Sequence, residues 1–423
     1  MNIRSTSART ENDVAVVGGG PAGMIAALFA AREGARVVLL ERNEKLGKKL
    51  YITGKGRCNV TNVADFEEFF AQVPRNPRFL NAAVRAFDAS ALRALLDELG
   101  VPTVVQRGGR VFPQSEKASD VTRAFERGLR AAGVQVRLGA RVKAVWMADG
   151  CALGVTLADG ERVSARAVIV ATGGVSYPST GSTGDGYRFA REAGHTVEPP
   201  LPSLVGMTTR DEWPRSLQGL SLKNVRLSAR MGKKKLYDEL GEMLFTHFGL
   251  SGPLVLELSS HMTDLNPQDV QVRIDLKPGL TPEQLDRRIQ RDFEQMQRRQ
   301  LSGVLSGLLP QRLAALFPAL CGLDGAMPVH QVTRAQRLLL SQTLKALPVQ
   351  IEGMRPVEEA IVTRGGVNVK EIVPGTMASK RVQGLYFAGE VLDVDAHTGG
   401  FNLQIAFSTG ALAGRSAARA GRM

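Results

Sequence analysis

Apolar and polar positions divide the chain into segments of different period. Residues 13–20, DVAVVGGG, are a short run of apolar, β-branched residues ending in glycines, the pattern of a buried parallel strand. Residues 21–33 predict a helix closed by Gly34, and 35–41 (ARVVLLE) a second buried strand, so the three form a βαβ unit of ordinary length. A glycine- and lysine-rich loop over 43–62 follows. Then come a helical stretch over 65–100 interrupted near Pro74 and Pro77, a strand and turn at 108–113, and a helix over 117–132. The turn signals Asp149-Gly150 and Asp159-Gly160, set between β-prone runs, predict a small antiparallel element leading into the buried strand AVIVATGG. Pro199, Pro200 and Pro202 predict a boundary. Beyond it, 201–277 are expected to be mainly β, with alternation in VRLSAR and VQVRIDL, and 281–345 mainly helical. From 355 strands and glycines return, ending in the strand GLYFAGE and a helix over 402–418.

The expected layout is a loose polar tail over 1–12, a nucleotide-binding domain over 13–200 resumed at 355–423, and an insert over 201–354. No apolar run reaches the roughly 20 residues of a membrane-spanning helix, and no secretory apolar core precedes the first strand. Cys58, Cys151 and Cys321 are the only cysteines and form no CxxC pair, which argues against zinc or a dithiol and suits a reducing cytoplasm. No metal site is expected. Aromatics are 5% of the chain, so a cofactor pocket would be walled by aliphatic side chains and backbone. The net charge of +13 would attract polyanions, but the basic residues are spread along the chain, which suits a solvated surface better.

Three motifs carry candidate chemistry. Gly18, Gly20 and Gly23 fit GxGxxG between a strand and a helix that includes Pro21 and Ala22. Gly18 permits the tight turn, Gly20 the approach of a diphosphate, and Gly23 close helix–strand packing. Glu41 ends the second strand, where a carboxylate accepts from a ribose diol and disfavours a 2′-phosphate. The alternative is a βα turn without ligand. The second motif, Thr172-Gly173-Gly174 after AVIVA, is another strand ending in small residues, which lets backbone pass close to a ligand. The third joins Gly389 and Glu390 to Gly399, Gly400, Asn402, Leu403 and Gln404, where free N–H groups at a helix start would meet the flavin pyrimidine edge. Here the alternative is a surface loop capped by Asn402. Two strand-end elements on one sheet favour FAD over a lone nicotinamide.

At these strings, and at GKGRCNVTN, ATGGVSYPSTGSTGDGY and FTHFGLSGP, the sequence resembles the YhiN- or BaiN-like family of NAD(P)/FAD-dependent oxidoreductases over nearly its whole length. The resemblance implies an α/β fold. A Rossmann-type FAD-binding domain is built from both chain ends, and an inserted β plus helical domain lies on the substrate side. It places FAD contacts at the motif residues and also at Arg42, Lys49, Gly54, Arg57, Cys58, Asn59 and Val142. Thr180–Tyr187 looks like the TGDG segment of fumarate-reductase-type flavoproteins. Ala396-His397 stand where the family pattern has Gly followed by an aromatic. His247, in FTHFGLSGP, is the candidate catalytic acid or base.

The expected reaction is hydride transfer from NAD(P)H through FAD to a small activated or unsaturated acceptor, although no second GxGxxG unit marks a nicotinamide site. The rivals are an FAD oxidase of small amines and an RNA-associated or RNA-modifying flavoprotein. The charge motivates the last, yet no RNA-binding module is recognisable.

Overall fold

A computed structural model describes residues 12–420. Most of the expected N-terminal tail lies outside the described residues, but Asn12 does not belong to a tail. It opens strand β1 (Asn12–Val17), where it pairs with Ala165. Next come helix α1 (Pro21–Arg32) and β2 (Val37–Leu40), then β3 (Gln135–Arg137), β4 (Val142–Ala148), β5 (Cys151–Leu157) and β6 (Arg162–Val170). Helix α2 spans Asp185–Glu192, β7 spans Leu385–Phe387 and α3 spans Phe401–Ala420.

These strands form one seven-stranded sheet in the order β3-β2-β1-β6-β5-β4, with β7 also on β6. The pairs β3–β2, β2–β1, β1–β6 and β6–β7 are parallel. Strand β6 changes partner along its length. Its first residues pair antiparallel with β5 (Val163 opposite Val155), and its last pair parallel with β7 (Ile169 opposite Tyr386). The carboxyl ends of β1, β6 and β7 therefore share one edge, although more than 200 residues separate the last two in sequence. Val14–Val17, Val37–Leu40 and Ala167–Val170 are all buried, as strands covered on both faces require. Helix α3 covers α1 through glycines: a Cβ on Gly410 would lie 2.4 Å from the Ala22 carbonyl oxygen, and one on Gly414 2.2 Å from that of Ala26.

The chain divides after Ser203 and again before Val357. The prolines expected to mark the boundary lie inside the strand Val197–Ser203, which pairs antiparallel with Val362–Val367. Its register slips between Glu198 and Leu201, so the Pro199-Pro200 pair sits at an irregularity where no ladder N–H is needed.

The second unit, Leu204–Pro356, has its own core around Leu227, Phe245, Ile274, Leu285, Phe317 and Leu340. Its sheet is a seven-stranded antiparallel one. The stretch expected to be mainly β also holds a helix, Pro253–Met262, started by Gly252 at φ +91° and Pro253 at its first turn. Helices Pro282–Gln295 and Arg334–Lys345 both begin with capping boxes, Thr281 with Gln284 and Thr333 with Gln336. Among the described residues no helix is long and apolar enough to cross a membrane.

Candidate functional site

The shared strand edge of the first unit assembles the three glycine motifs. Gly18 has φ +105°, and a Cβ there would lie 2.5 Å from the Ala171 carbonyl oxygen, so the turns after β1 and β6 touch. A Cβ on Gly23 would lie 1.8 Å from the Gly18 oxygen, which lets α1 close onto its own turn. Gly389, at φ +77°, leaves a Cβ only 2.8 Å from that of Ala22, bringing the third motif to the first. Gly20 is different: no atom lies within 4 Å of a Cβ built on it. This open face adjoins the start of α1, whose ladder begins with the Met24 N–H donating to Gly20 O at 2.9 Å. The Ala22 and Gly23 donors precede that ladder, and Pro21 has none. A partly open, positively polarised helix end with a clear approach at Gly20 suits a diphosphate.

Glu41 is buried and already engaged. One carboxylate oxygen accepts from the Gly19 N–H at 2.6 Å; the other accepts from the Asn43 backbone and side-chain N–H groups, each at 2.8 Å. With two lone pairs per oxygen, a single acceptor site remains, on the oxygen that holds Gly19. The carboxylate expected to accept from a ribose diol therefore keeps one open acceptor site. Its other bonds brace the Gly18–Gly20 turn from behind. Arg42 is partly engaged: its Nη1 donates to Thr183 Oγ1 (2.6 Å) and Asp185 Oδ2 (3.1 Å), while Asn43 Nδ2 reaches Thr180 O at 3.0 Å. The Thr180–Tyr187 segment is thereby tied to the end of β2.

A second cluster forms around Glu390. Lys49 Nζ donates to its two oxygens (2.8 and 3.1 Å) and to Ser176 Oγ (2.7 Å); the Thr363 N–H donates to Glu390 Oε1 at 2.9 Å. Thr363 Oγ1 accepts from the Val175 and Ser176 N–H groups, and a Cβ on Gly174 would lie 2.3 Å from it, which explains a glycine there; Gly173 has φ +73°. The phenol of Tyr187 is buried without a hydrogen-bond partner, and its pKa is raised by burial and then by the charges of Glu390 and Asp393. Ser176 and Thr363 were not among the sequence candidates.

In GKGRC, Gly54 (φ +57°), Lys55 (+58°), Gly56 (+87°) and Cys58 (+60°) all adopt left-handed backbone. For the two non-glycine residues this conformation is uncommon and collects at functional sites. Arg57 donates to Gln106 (2.8 Å) and pairs with Glu116, and its guanidinium lies 4.3 Å from the Phe112 ring centre. Arg57 Nε, Asn59 Oδ1 and Thr172 Oγ1 are buried with no hydrogen-bond partner. Buried polar atoms rarely stay unpaired, so these three are open to a polar partner from outside the chain. Val142, buried at the start of β4 opposite Leu157, offers a ligand only backbone.

Cys58 is fully buried and burial pushes its thiol up to about 12, against a weaker opposing hydrogen bond from Thr53. Native protein at about pH 8 should therefore leave Cys58 unalkylated while the partly exposed Cys151 reacts; unfolding should release it. Modification of Cys58 at a free-thiol rate by peptide mapping would show that the loop opens.

The third motif needs two corrections. Helix α3 begins at Phe401, and its ladder starts with the Gln404 N–H donating to Gly400 O at 3.1 Å, so Gln404 is not a free donor. Its side chain is consumed as well, accepting from Thr61 Oγ1 (2.5 Å) and donating to Phe87 O (3.0 Å) and Ser408 Oγ (2.9 Å). The Asn402 side chain closes the preceding loop, accepting from the Ala396 N–H (2.9 Å) and donating to Ala396 O (2.6 Å) and His397 O (3.2 Å). The donors ahead of the ladder are the N–H groups of Phe401, Asn402 and Leu403. Gly400, at φ +103°, brings them in by packing on Thr61 O, 2.4 Å from its Cβ position. The His397 ring donates from Nδ1 to Gln72 Oε1 at 3.2 Å, and its backbone N–H donates to Gln72 O at 2.9 Å.

His247 belongs to the second unit. It is exposed in the turn between Lys234–Thr246 and Gly249–Ser251, with its ring edge-on to Phe248 at 5.0 Å.

A Ser–His–acid array also occurs in the first unit. His195 contacts Ser379 Oγ at 2.7 Å and Glu371 at 3.2 Å. Ser379 Oγ accepts from the Arg381 and Val382 N–H groups, so with its own proton on His195 no lone pair remains for attack. The array is an anchor. Burial lowers the His195 pKa, and Arg381 holds the Glu371 carboxyl down to about 2.

The family model described as the HI0933-like protein Rossmann domain matches residues 12–416. A 3-dehydro-bile acid delta(4,6)-reductase of Clostridium scindens is 34% identical over 413 residues, covering 96% of this chain and 99% of that protein. A ribosomal RNA dihydrouridine synthase of Haemophilus influenzae is 31% identical over 404 residues, covering 93% and 95%. Among solved structures, a 3-ketosteroid delta4-(5alpha)-dehydrogenase from Rhodococcus jostii RHA1 superposes with a TM-score of 0.50 at 15% identity, over 98% of this chain and 99% of that one. At that identity the likeness is one of fold.

Proposed function

Because this chain belongs to the HI0933-like Rossmann family of flavin-dependent oxidoreductases, we propose that it binds FAD and passes hydride from NAD(P)H to a carbon–carbon double bond activated by a neighbouring carbonyl. The observation that carries this reading is the meeting of three separated glycine turns at one strand edge, through the Gly18–Ala171 and Gly389–Ala22 approaches. Ligands of open parallel sheets sit beyond the carboxyl ends of the strands, and a long dinucleotide needs contacts from several of them.

The groups fit FAD. The open N-terminal end of α1 holds the diphosphate, with Glu41 accepting from one ribose hydroxyl. The Lys49–Glu390–Ser176 cluster and the unpaired Asn59 Oδ1 and Thr172 Oγ1 meet the ribityl and carbonyl groups. The donors of Phe401, Asn402 and Leu403 address the flavin pyrimidine edge, where a helix start favours negative charge. Bound FAD supplies the two-electron chemistry; the chain binds it, orients it and sets its potential. A conjugated acceptor fits the names of both relatives, since reduction at delta(4,6) and formation of dihydrouridine each saturate a double bond.

Purified protein should be yellow and release FAD, not FMN, on denaturation. Anaerobic NADH or NADPH should bleach it, and an enone acceptor should restore the colour. Colourless protein that takes up no FAD would defeat the proposal, and peroxide formation from small amines would favour an oxidase. A second reading, an acceptor pyrimidine within RNA, is favoured by the net charge of +13. It requires RNA retention that falls steeply with salt.

A further inference from the structure

The segment between β7 and α3 carries a buried ion pair that the binding site does not account for. Asp395 is completely buried and Arg364 nearly so. Arg364 Nε lies 3.1 and 3.3 Å from the Asp395 oxygens and Nη2 3.0 Å from one of them; Ser203 Oγ donates to the same carboxylate at 2.8 Å. A buried ion pair is weak evidence for stability, because desolvating both charges offsets their attraction and apolar replacements are often as stable. Stability alone is therefore a poor reason for two charges at such a place.

Their surroundings connect them to the start of α3. Ala396, the residue after Asp395, exchanges hydrogen bonds with the Asn402 side chain in the first turn of that helix. On the other side, Leu392 bridges to Val367 and the Asp393 N–H donates to Val367 O at 3.0 Å, which joins the segment to the strand bearing Arg364. Two other carboxylates lie in the segment, Glu390 paired with Lys49 at 2.8 Å and Asp393 paired with Arg75 at 2.7 Å. The charges along the segment are therefore matched in opposite pairs.

We propose that the Arg364–Asp395 pair, completed by Ser203, positions the start of α3 and balances the local charge so as to set the reduction potential of the flavin. This rests on the reading that FAD lies with its pyrimidine edge at that helix start. In a site shielded from water a single uncompensated charge acts strongly over several ångströms. A bare cation stabilises the reduced, anionic flavin; a bare anion destabilises it. The two halves of the pair therefore have opposite effects, whereas loss of mere scaffolding would move both variants the same way.

The test is the midpoint potential of FAD-loaded Asp395→Asn, Arg364→Gln, the double variant and Ser203→Ala at about pH 8, with FAD content and circular dichroism measured alongside. Asp395→Asn should favour reduced over oxidised flavin by about tenfold, a rise of about 30 mV for a two-electron couple. Arg364→Gln should lower the potential by a similar amount, the double variant should return towards the wild-type value, and Ser203→Ala should lower it by less. If a single variant fails to fold, the double variant and Ser203→Ala still decide. Shifts of the same sign in the two single variants, or an unchanged potential in folded, flavin-loaded Ser203→Ala, overturn the pair's role alone. A wild-type protein that holds no flavin overturns the FAD reading and this inference with it.

Discussion

A chain ending near residue 350 is expected to bind no FAD. The cut removes the Val362–Val367 strand, β7 and α3. With them go the Thr363 N–H that orients Glu390, Glu390 itself and the donors at the start of α3. It also strips the core: Leu385 and Phe387 are fully buried in β7, which pairs with β6, and Ile405, Phe407, Ala411 and Ala413 are buried along α3. Fully burying one large apolar side chain is worth about 1.5–3 kcal/mol, so losing Leu385, Phe387, Ile405 and Phe407 forfeits an amount comparable with the roughly 5–15 kcal/mol by which a domain is stable. A point version avoids truncation. In Gly414→Val the new Cβ would meet Ala26 O at 2.2 Å, and α3 would have to lift from α1. We expect that overpacking to cost about 1–3 kcal/mol or more. It should appear as a lower Tm and a fall in FAD per chain, read from the flavin absorbance of the desalted protein. Full-affinity FAD binding by residues 1–350 would refute the split construction of the site.

The first βαβ unit was legible because its signals are local. A β-branched run, three glycines and a following helix specify a turn, and the close approach of Gly23 to Gly18 O is met within a few residues. What stayed hidden depends on distant partners. Nothing near Gly174 announces that Thr363 will pack on it, and nothing near Lys49 names Ser176. The sequence offers free backbone N–H groups from Asn402 to Gln404, yet the Gln404 N–H is used by Gly400 O, and the two side chains are spent on Ala396, His397, Thr61, Phe87 and Ser408. A donor's chemistry is written locally; whether it is already used is not. The prolines at 199–202 do stand at the end of the first unit, which closes at Ser203, but inside a strand rather than a linker. Among the described residues the Val197–Ser203 strand has one partner and slips register there, so the prolines remove no needed ladder N–H. The helix Pro253–Met262 was missed because PLVLELSSHM is a short, largely apolar run whose period does not separate a helix from a strand.

Glu41→Ala is expected to weaken FAD binding by about 3–4 kcal/mol, some 10²- to 10³-fold in Kd, more than loss of a ribose contact alone would give. The carboxylate accepts three N–H groups, from Gly19 and twice from Asn43. Bonds to a charged acceptor contribute about 1.5–3 kcal/mol net, and a buried donor left unpaired adds its own penalty. Of the three, the Gly19 N–H matters most, because it lies inside the turn that presents the Gly20 face to the diphosphate. Glu41→Gln should fall between wild type and alanine. Its amide oxygen can serve one side of the clamp, but its NH₂ then opposes an N–H donor on the other. Two measurements separate a brace from a simple ligand. FAD titration of apoprotein gives the Kd, and thermal unfolding without FAD reads the turn by itself. A brace lowers the Tm of apo Glu41→Ala; a residue that only touched the ribose would leave the apo Tm where it was and weaken FAD binding by no more than one hydrogen bond.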